Sequence, residues 1–485
     1  MLIQSMTSTD TLNTKSTVQQ CIKMFETGCK LIRISAPSVK AAQNLSEIKK
    51  ELAKQGYNIP LVADIHFNPK AAEIAARIVE KIRINPGNFA DSKKKAKRTD
   101  LTVQNELEEI SSKLIPLLNV CKKHHTAIRI GVNHGSLSKR ILFQHGNTPG
   151  GMVESALEYL QICRQNDFHD IVLSLKASNI ITMIQSNRLM VKKMQERGWD
   201  YPLHLGVTEA GNATEGRIKS AAGIGSLLRE GIGDTIRVSL TENPLHEIPV
   251  AKKIIQYAQK QPAHLETWWM ERPDDTDLPL VLNNKKNMAD LFVRDELAYD
   301  QMQHRYAMEK AQRSASGKLS GKLKILKASY PGLALEDIMI RATMDFTKPL
   351  ITNQCDGIWI EGDEEIPADK INEIAFGILQ ATKRRITKTE FISCPSCART
   401  LFDIEKLLEK VKKNTSHLKG LKIGVMGCTV NGPGEMAGAD YGLVGSGKNQ
   451  VTLYKGQNIQ KKNIPLEKAV KELIKLIKEN KEWQD

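Results

Sequence analysis

The sequence predicts an α/β protein that begins with a (β/α)8 barrel, continues through an α/β insert and ends in a small α/β domain. Three observations carry this. Eight short β-like runs alternate with amphipathic helical patterns over the first ~250 residues, the size of such a barrel. The alternation stops after Asn243-Pro244 and one further helix, Glu247 to Gln259. The last hundred or so residues then gather Cys, Gly and Pro into two marked turns. The expected boundaries are 1–259 for the barrel, 260–389 for the insert and 390–485 for the terminal domain.

The eight runs are Leu2 to Thr7, Leu31 to Ser35, Leu61 to Phe67, Lys81 to Asn85, Ala127 to Val132, Asp170 to Lys176, Leu203 to Thr208 and Thr235 to Leu240. Each is short and rich in β-branched or aliphatic residues, as buried parallel strands are. Lys15 to Glu26, Ser38 to Gln55 and Pro69 to Val79 between them read as helices. A doubly wound open sheet is the alternative, but no Gly-x-Gly-x-x-Gly turn opens the first unit.

In a barrel of this kind the chemistry lies at the C-terminal strand ends. Those ends carry Arg33, then Asp64 with His66, then Arg83 and Asn85, then Arg129, Asn133, His134 and Ser136. Later ends add Ser174 and Lys176, His204, Thr208 and Glu209, and finally Arg237 with Ser239. As partners in interstrand ion pairs, the two acids Asp64 and Glu209 cannot neutralise Arg33, Arg83, Arg129, Lys176 and Arg237. The excess fits a phosphate-bearing ligand, which Arg grips with a two-pronged fork.

The middle reads less sharply. Turn- and charge-rich sequence surrounds Glu271 to Asp277, a helical stretch runs from Asp290 to Gln312, and Ser314 to Gly317 leads into a Lys-rich run. An αβα-like passage follows from Leu333 to Leu379, with a strand at Gly357 to Glu361. The pair Trp268-Trp269 is read as packing. No ligand set is apparent, and the insert is expected to act as a spacer.

The terminal segment opens near Lys388 to Ser393 and carries Cys394-Pro-Ser-Cys397, a helix from Asp403 to Lys413, and Gly427-Cys428-Thr-Val-Asn431-Gly-Pro-Gly-Glu435. Cys-x-x-Cys alone also suits a redox pair or half a zinc site. For zinc, only His417 lies between Cys397 and Cys428, and it sits in a Lys-rich stretch. A thioredoxin-type pair follows a βαβ pattern near the start of its domain, which this one does not. Three thiols and one carboxylate on two tight turns better suit an iron–sulfur cluster, with Glu435 on the iron that lacks a sulfur ligand. Gly442 to Lys448 has phosphate-loop spacing, but Asn449 stands where Ser or Thr belongs, so its flanks read as a hairpin. Pro465 to Glu479 is a closing amphipathic helix.

Composition sets the remaining bounds. The 485 residues are 41% hydrophobic, with no apolar run long enough to span a bilayer and no secretory signal at the start. Eight irregularly spaced Cys argue against a secreted disulfide scaffold and for a reducing cytoplasm. The net charge of +15 comes in part from runs such as Lys93 to Arg98 and Lys461-Lys462, read as solvated. With only 5% aromatics and no known module, a nucleic-acid partner is not expected.

The two Cys turns together resemble the C-terminal domain of the 4-hydroxy-3-methylbut-2-enyl diphosphate synthase family, and the strand-end phrases resemble that family's barrel. The resemblance covers roughly Leu2 to Leu240 and Glu390 to Gly456, with the insert similar to that of the three-domain form of plants and chlamydiae. Family members usually carry a further segment before Gln4-Ser-Met-Thr7, whereas this chain starts almost on its first strand. The resemblance implies a reductase that opens the ring of 2-C-methyl-D-erythritol 2,4-cyclodiphosphate and removes a hydroxyl, giving 4-hydroxy-3-methylbut-2-enyl diphosphate. It implies a 4Fe–4S cluster held by Cys394, Cys397, Cys428 and Glu435, and ferredoxin or flavodoxin as electron donor. Arg33, Arg83, Arg129, Lys176 and Arg237 are then the implied diphosphate contacts, and Asp64, Asn133, Thr208 and Glu209 the polar lining. The oligomeric state stays open, a homodimer included. The rival readings are an electron carrier, which needs no anion-binding barrel, and a barrel with structural zinc or a basic nucleic-acid binder.

Overall fold

The computed structural model describes residues 1–90, 103–270, 280–282, 323–430 and 432–484. The Lys93 to Arg98 run, Glu271 to Asp277, Asp290 to Gln312, Ser314 to Gly317 and Asn431 lie outside the described residues.

Eight parallel strands form the first sheet: β1 (Leu2–Met6), β2 (Leu31–Ser35), β3 (Leu61–Asp64), β4 (Lys81–Ile84), β5 (Ala127–Asn133), β6 (Ile171–Lys176), β7 (His204–Leu205) and β8 (Thr235–Ile236). Their order is β6-β5-β4-β3-β2-β1-β8-β7, and a parallel bridge between Leu173 and Leu203 joins the two ends into a ring. This is the expected (β/α)8 barrel. The strands are aliphatic because both faces are covered: Ile32, Ile34, Leu61, Ile82, Ile130 and Leu173 are fully buried. Helices return the chain each time, capped as their sequences dictate. Ser38 and Asn68 accept from Ala41 N–H and Ala71 N–H at the starts of Val39–Lys54 and Pro69–Ala75. Gly28, at φ +113°, ends Thr14–Thr27.

Strands β7 and β8 are shorter than their sequence runs. The chain beyond Leu205 and Ile236 leaves the ladder and becomes the irregular rim that carries Thr208, Glu209, Arg237 and Ser239.

The second sheet has the order β10-β12-β11-β9, built from β9 (Glu266–Met270), β10 (Leu280–Leu282), β11 (Leu323–Ser329) and β12 (Gly357–Glu361). Helices Leu335–Ile351 and Ala368–Ala381 flank β12, as the αβα pattern predicts. The tryptophan pair is not core. Trp268 and Trp269 are 46% and 62% exposed, and Trp268 leans on Trp359 with Lys327 5.3 Å from its ring centre. Their strand pairs with β11 on one side, which leaves alternate side chains outward.

The third sheet, β13-β14-β15-β16-β17, comprises β13 (Glu390–Ser393), β14 (Lys422–Met426), β15 (Tyr441–Gly447), β16 (Gln450–Lys455) and β17 (Asn458–Pro465). The first three are parallel and the last two antiparallel. The hairpin reading of Gly442 to Lys448 therefore holds. Helices Ile404–Thr415 and Leu466–Glu479 cover this sheet, and both are amphipathic.

Candidate functional site

Strand register builds the barrel mouth. Asp64 on β3 lies opposite Arg83 on β4, Arg83 opposite Arg129 on β5, and Asn133 opposite Lys176 on β6. In-register neighbours on adjacent strands are roughly 5 Å apart, so one turn of the ladder sets a carboxylate and two guanidiniums side by side. Two glycines make room for the long cations. A Cβ on Gly131 would sit 2.5 Å from Arg83 Nε, and one on Gly206 would sit 2.6 Å from Lys176 Nζ.

Asp64 is fully buried. Arg83 donates to its Oδ1 at 3.2 Å, Arg33 Nε lies 4.0 Å away, and His66 Nε2 is 3.3 Å from Oδ2. Burial alone would raise the Asp64 carboxyl, but Arg33, His66 and Arg83 outweigh it and hold it well below the usual range. Arg83 also donates to Gly131 O at 2.9 Å and to Asn133 Oδ1 at 3.3 Å. Lys176 Nζ lies 3.2 Å from His204 Nε2, and His204 Nδ1 lies 2.7 Å from Thr235 Oγ1. With Lys176 charged, Nε2 accepts and Nδ1–H donates to Thr235.

These cations exceed the acids that face them. The sequence offered Asp64 and Glu209 as ion-pair partners; the structure bears this out for Asp64 and corrects it for Glu209. Among the described residues Glu209 forms no ion pair, whereas Glu247, on the first turn of Glu247–Gln259, takes Arg237 in a two-pronged pair at 3.1 and 3.0 Å. The rest stay under-neutralised. Burial, and then the neighbouring Arg33 and Arg83, push the Arg129 guanidinium well below its ordinary value. Burial and Arg129 do the same to Lys176. Several buried polar atoms here have no hydrogen-bond partner among the described residues: Arg83 Nε, Arg129 Nε, Gln4 Nε2, Thr208 Oγ1 and Glu209 Oε2. Buried polar groups are nearly always satisfied, so such a cluster marks a place for a ligand. Glu209 itself has φ +49°, a left-handed backbone that non-glycine residues rarely adopt away from functional sites. Burial raises its carboxyl.

The Cys turns sit over this mouth. Cys394, Cys397, Cys428, Met426 and Gly432 line the same cavity as Arg33, Arg83, Arg129, Asn133, Lys176, Thr208, Glu209 and Arg237. Cys394 follows β13 and Cys428 follows β14, so two adjacent parallel strands deliver the thiols from their C-terminal ends. Gly427 N–H donates to Cys394 Sγ at 3.2 Å, and Cys397 N–H donates to Thr400 Oγ1 at 3.0 Å. Glu435 is 5% exposed, and its carboxyl is raised well above the ordinary value by burial and by Glu209. Its turn meets the barrel backbone to backbone. A Cβ on Gly434 would lie 1.6 Å from Gly135 O, and one on Gly135 would lie 2.5 Å from Glu435 Oε1.

Among the described residues, no three His, Cys, Asp or Glu side chains converge as the ligands of a single ion do. The donor set does suit a larger iron–sulfur group. Three thiols on one sheet edge share a cavity, and a backbone N–H is aimed at one sulfur; the desolvated Glu435 carboxyl, on the turn after Cys428, lies against Gly135 of the barrel. Burial and the nearby Cys428 and Cys397 sulfurs push the Cys394 thiol well up, a tension that metal coordination removes by deprotonating the sulfur. The other five cysteines are excluded from this set. Cys21, Cys29, Cys121, Cys163 and Cys355 are 0–3% exposed. Burial pushes Cys21, Cys121 and Cys163 up to about 12, and Cys29 and Cys355 to about 11. His417, the one zinc candidate, packs edge-on against Trp483.

Sequence reasoning missed Arg399. It follows Cys397 by two residues, is mostly buried, and donates through both terminal nitrogens to Asp64 Oδ2 at 3.1 and 3.2 Å. A cation spaced Cys-x-Arg beside thiolates was the available signal. Glu247 and Gln4, which accepts from Arg129 at 2.8 Å, were missed as well.

Fold and site define an oxidoreductase built on a TIM barrel, with a thiol-bearing domain set over a mouth rich in buried cations. Comparison with known proteins makes this specific. A family model described as the GcpE TIM-barrel domain matches residues 1–252, and one described as the GcpE protein C-terminal domain matches 390–479. The chain is 41% identical to 4-hydroxy-3-methylbut-2-en-1-yl diphosphate synthase (flavodoxin) of Parabacteroides distasonis, over 99% of this chain and 95% of that one. It is 40% identical to the synthase of the same name from Porphyromonas gingivalis and 36% identical to that of Leptospira interrogans, each over 100% of this chain and 95% of the relative. The chain belongs to the GcpE family of 4-hydroxy-3-methylbut-2-en-1-yl diphosphate synthases, the enzymes that reduce the cyclic diphosphate to the open one. No helix among the described residues is long and apolar enough to cross a membrane.

Proposed function

We propose that three units divide the work: residues 1–259 bind the cyclic diphosphate, 260–389 carry the terminal unit to its place, and 390–485 hold a 4Fe–4S cluster through Cys394, Cys397, Cys428 and Glu435. One observation carries this reading: three thiols line a mouth whose buried cations outnumber their acids. When bound, the cluster supplies electrons singly and an iron able to act as a Lewis acid.

The side chains do the rest. Arg33, Arg83, Arg129, Lys176 and Arg237 take the diphosphate, whose charge restores the ionised state that burial opposes. Asn133 and Thr208 offer neutral hydrogen bonds beside it, and Asp64 fixes the guanidiniums. Two electrons enter the substrate, a ring C–O bond breaks toward the phosphate, and the hydroxyl departs. One proton must carry that oxygen off as water. Glu209, whose carboxyl burial keeps protonated to higher pH, stands in the mouth to deliver it. The electrons come from a flavodoxin, the donor that the relatives' names carry, and the setting is the cytoplasm.

Three measurements test this. Iron and acid-labile sulfide in anaerobically purified protein should both approach four per chain. Cys394→Ser, Cys397→Ser or Cys428→Ser should lose most of the cluster's visible absorption, whereas Cys355→Ser keeps it. Lys176→Ala and Arg129→Ala should keep parental iron yet weaken substrate binding by about 1.5–3 kcal/mol, roughly ten- to a hundredfold. Unchanged binding in both would move the substrate site elsewhere.

A further inference from the structure

The cluster turn brings a cation of its own to the mouth. Arg399 crosses from the C-terminal unit to Asp64, 335 positions earlier in sequence, and lines the cavity shared by the thiols and the barrel cations. Asp64 does not need it. That carboxylate already has Arg83 at 3.2 Å on Oδ1, His66 at 3.3 Å on Oδ2 and Arg33 at 4.0 Å. Burial keeps His66 neutral, its value lowered to about 4, so three guanidiniums gather on one carboxylate. Such a group carries a net charge of about +2, which the two charges of the cyclic diphosphate, one on each phosphate, would balance. Arg399 Nε is buried and has no hydrogen-bond partner among the described residues, as is also true of Arg83 Nε and Arg129 Nε. Each is an unmet donor at the same mouth.

We infer that Arg399 is a diphosphate contact delivered by the cluster turn, held by Asp64 beside Arg33 and Arg83, so that the bound diphosphate is gripped from both sides of the seam. The inference rests on the barrel-mouth reading above. A plain interdomain ion pair explains the two bonds to Asp64. It does not explain a third cation on a satisfied carboxylate, nor a buried N–H left over.

The test uses cluster-loaded protein and inorganic pyrophosphate as the probe, with titration calorimetry for affinity. Arg399→Leu should weaken pyrophosphate binding ten- to a hundredfold and raise KM for the cyclic diphosphate similarly, with iron content and the reduced cluster's EPR spectrum unchanged. Arg399→Lys, which keeps the charge and loses the fork, should recover part of the affinity. Asp64→Asn combined with Arg399→Leu should bind no more weakly than the product of the two single effects, and less weakly if the residues act as a unit. Parental pyrophosphate affinity and KM in Arg399→Leu, alongside weakened binding in Lys176→Ala, would overturn the inference and leave the barrel site standing. Parental affinity in both would overturn the barrel site itself. Loss of iron in both Arg399 variants would also overturn it, by assigning Arg399 to holding the cluster.

Discussion

The barrel meets its two neighbours in opposite ways. Toward the insert it shares one apolar core. Ile180, Val207, Ile218 and Ala222 of the barrel pack with Ile338, Phe346, Leu350 and Ile378 of the insert, while Ile340 and Met344 of the insert belong to the barrel's own core. Small residues let the helices touch. The five-residue π-turn Ala221–Gly225 leaves Gly225 against Met344, where a Cβ would sit 2.5 Å from Met344 Cγ. Arg229 and Asp345 close the edge at 2.6 Å. Toward the cluster unit the contacts run through polar side chains and backbone. Thr241 and Ser393 hydroxyls meet at 2.6 Å, Lys219 donates to Phe391 O at 3.0 Å, and Lys412 reaches Asn212 and Glu215 at 2.7 and 2.8 Å. Glycine backbone meets glycine backbone at 135 and 434. The apolar clusters of the cluster unit contain no barrel residue among those described. A shared core does not come apart without unfolding, but a polar seam exchanges its bonds for water at small net cost. The insert is thus a fixed extension of the barrel, and the cluster unit is docked on it.

The sharpest way to break this contrast is to cut into the shared core. Phe346→Ala should cost about 3–5 kcal/mol in chemical denaturation, with barrel and insert unfolding together. Two separate transitions would show that the insert is an independent body.

Next in size is an overpacked seam. Gly434→Ala drives a methyl into Gly135 O and must hold the two units apart. Overpacking of about 1–3 kcal/mol should fall on docking alone. Turnover should drop at least tenfold while the denaturation midpoint and iron content stay parental, and small-angle scattering should show a more extended particle. A lowered midpoint would mean that the seam is part of the fold's stability.

The smallest effect is electrostatic. Glu390 contacts Lys383 and lies 3.9 Å from Lys219, and despite burial these lysines lower its carboxyl to about 2. A carboxyl depressed on docking stabilises the docked state fully above its ordinary value near 4.5 and loses that contribution as pH falls toward 2. The seam should therefore loosen between about pH 4.5 and 2, read as an increase in particle dimensions. Glu390→Gln should flatten that profile, and a profile unchanged by it would remove Glu390 from the seam.

Much of this was legible in the sequence because it is local. Strand–helix alternation marks the barrel, strand ends carry their charges in register, and the thiols sit on Gly- and Pro-marked turns. What escaped was either polar or remote. Strand β17 is a Lys-bearing edge strand, exposed along most of its length, and without alternation it reads as loop. Glu247 looks like an ordinary first-turn acid until the helix is seen to aim it back at Ser5 and Arg237. Arg399 has its partner 335 residues away, and no pattern along the chain links the two. The tryptophans were misread because adjacency suggests packing, whereas strand geometry sends neighbours to opposite faces.

The five enclosed cysteines have a practical consequence for handling the protein in air. A thiol that is sealed from solvent and stays protonated is a poor target for peroxide or alkylating reagents. Damage on exposure to oxygen is then confined to Cys394, Cys397 and Cys428, and it stops short of the disulfide scrambling that mixes thiols at random. Iodoacetamide added to the folded apoprotein should mark Cys397 and Cys428 first by mass spectrometry, Cys394 more slowly because burial raises its thiol, and spare Cys21, Cys29, Cys121, Cys163 and Cys355. A preparation bleached by air and then reduced can in that case be refilled with iron and sulfide, because its remaining sulfur chemistry was never open to the oxidant.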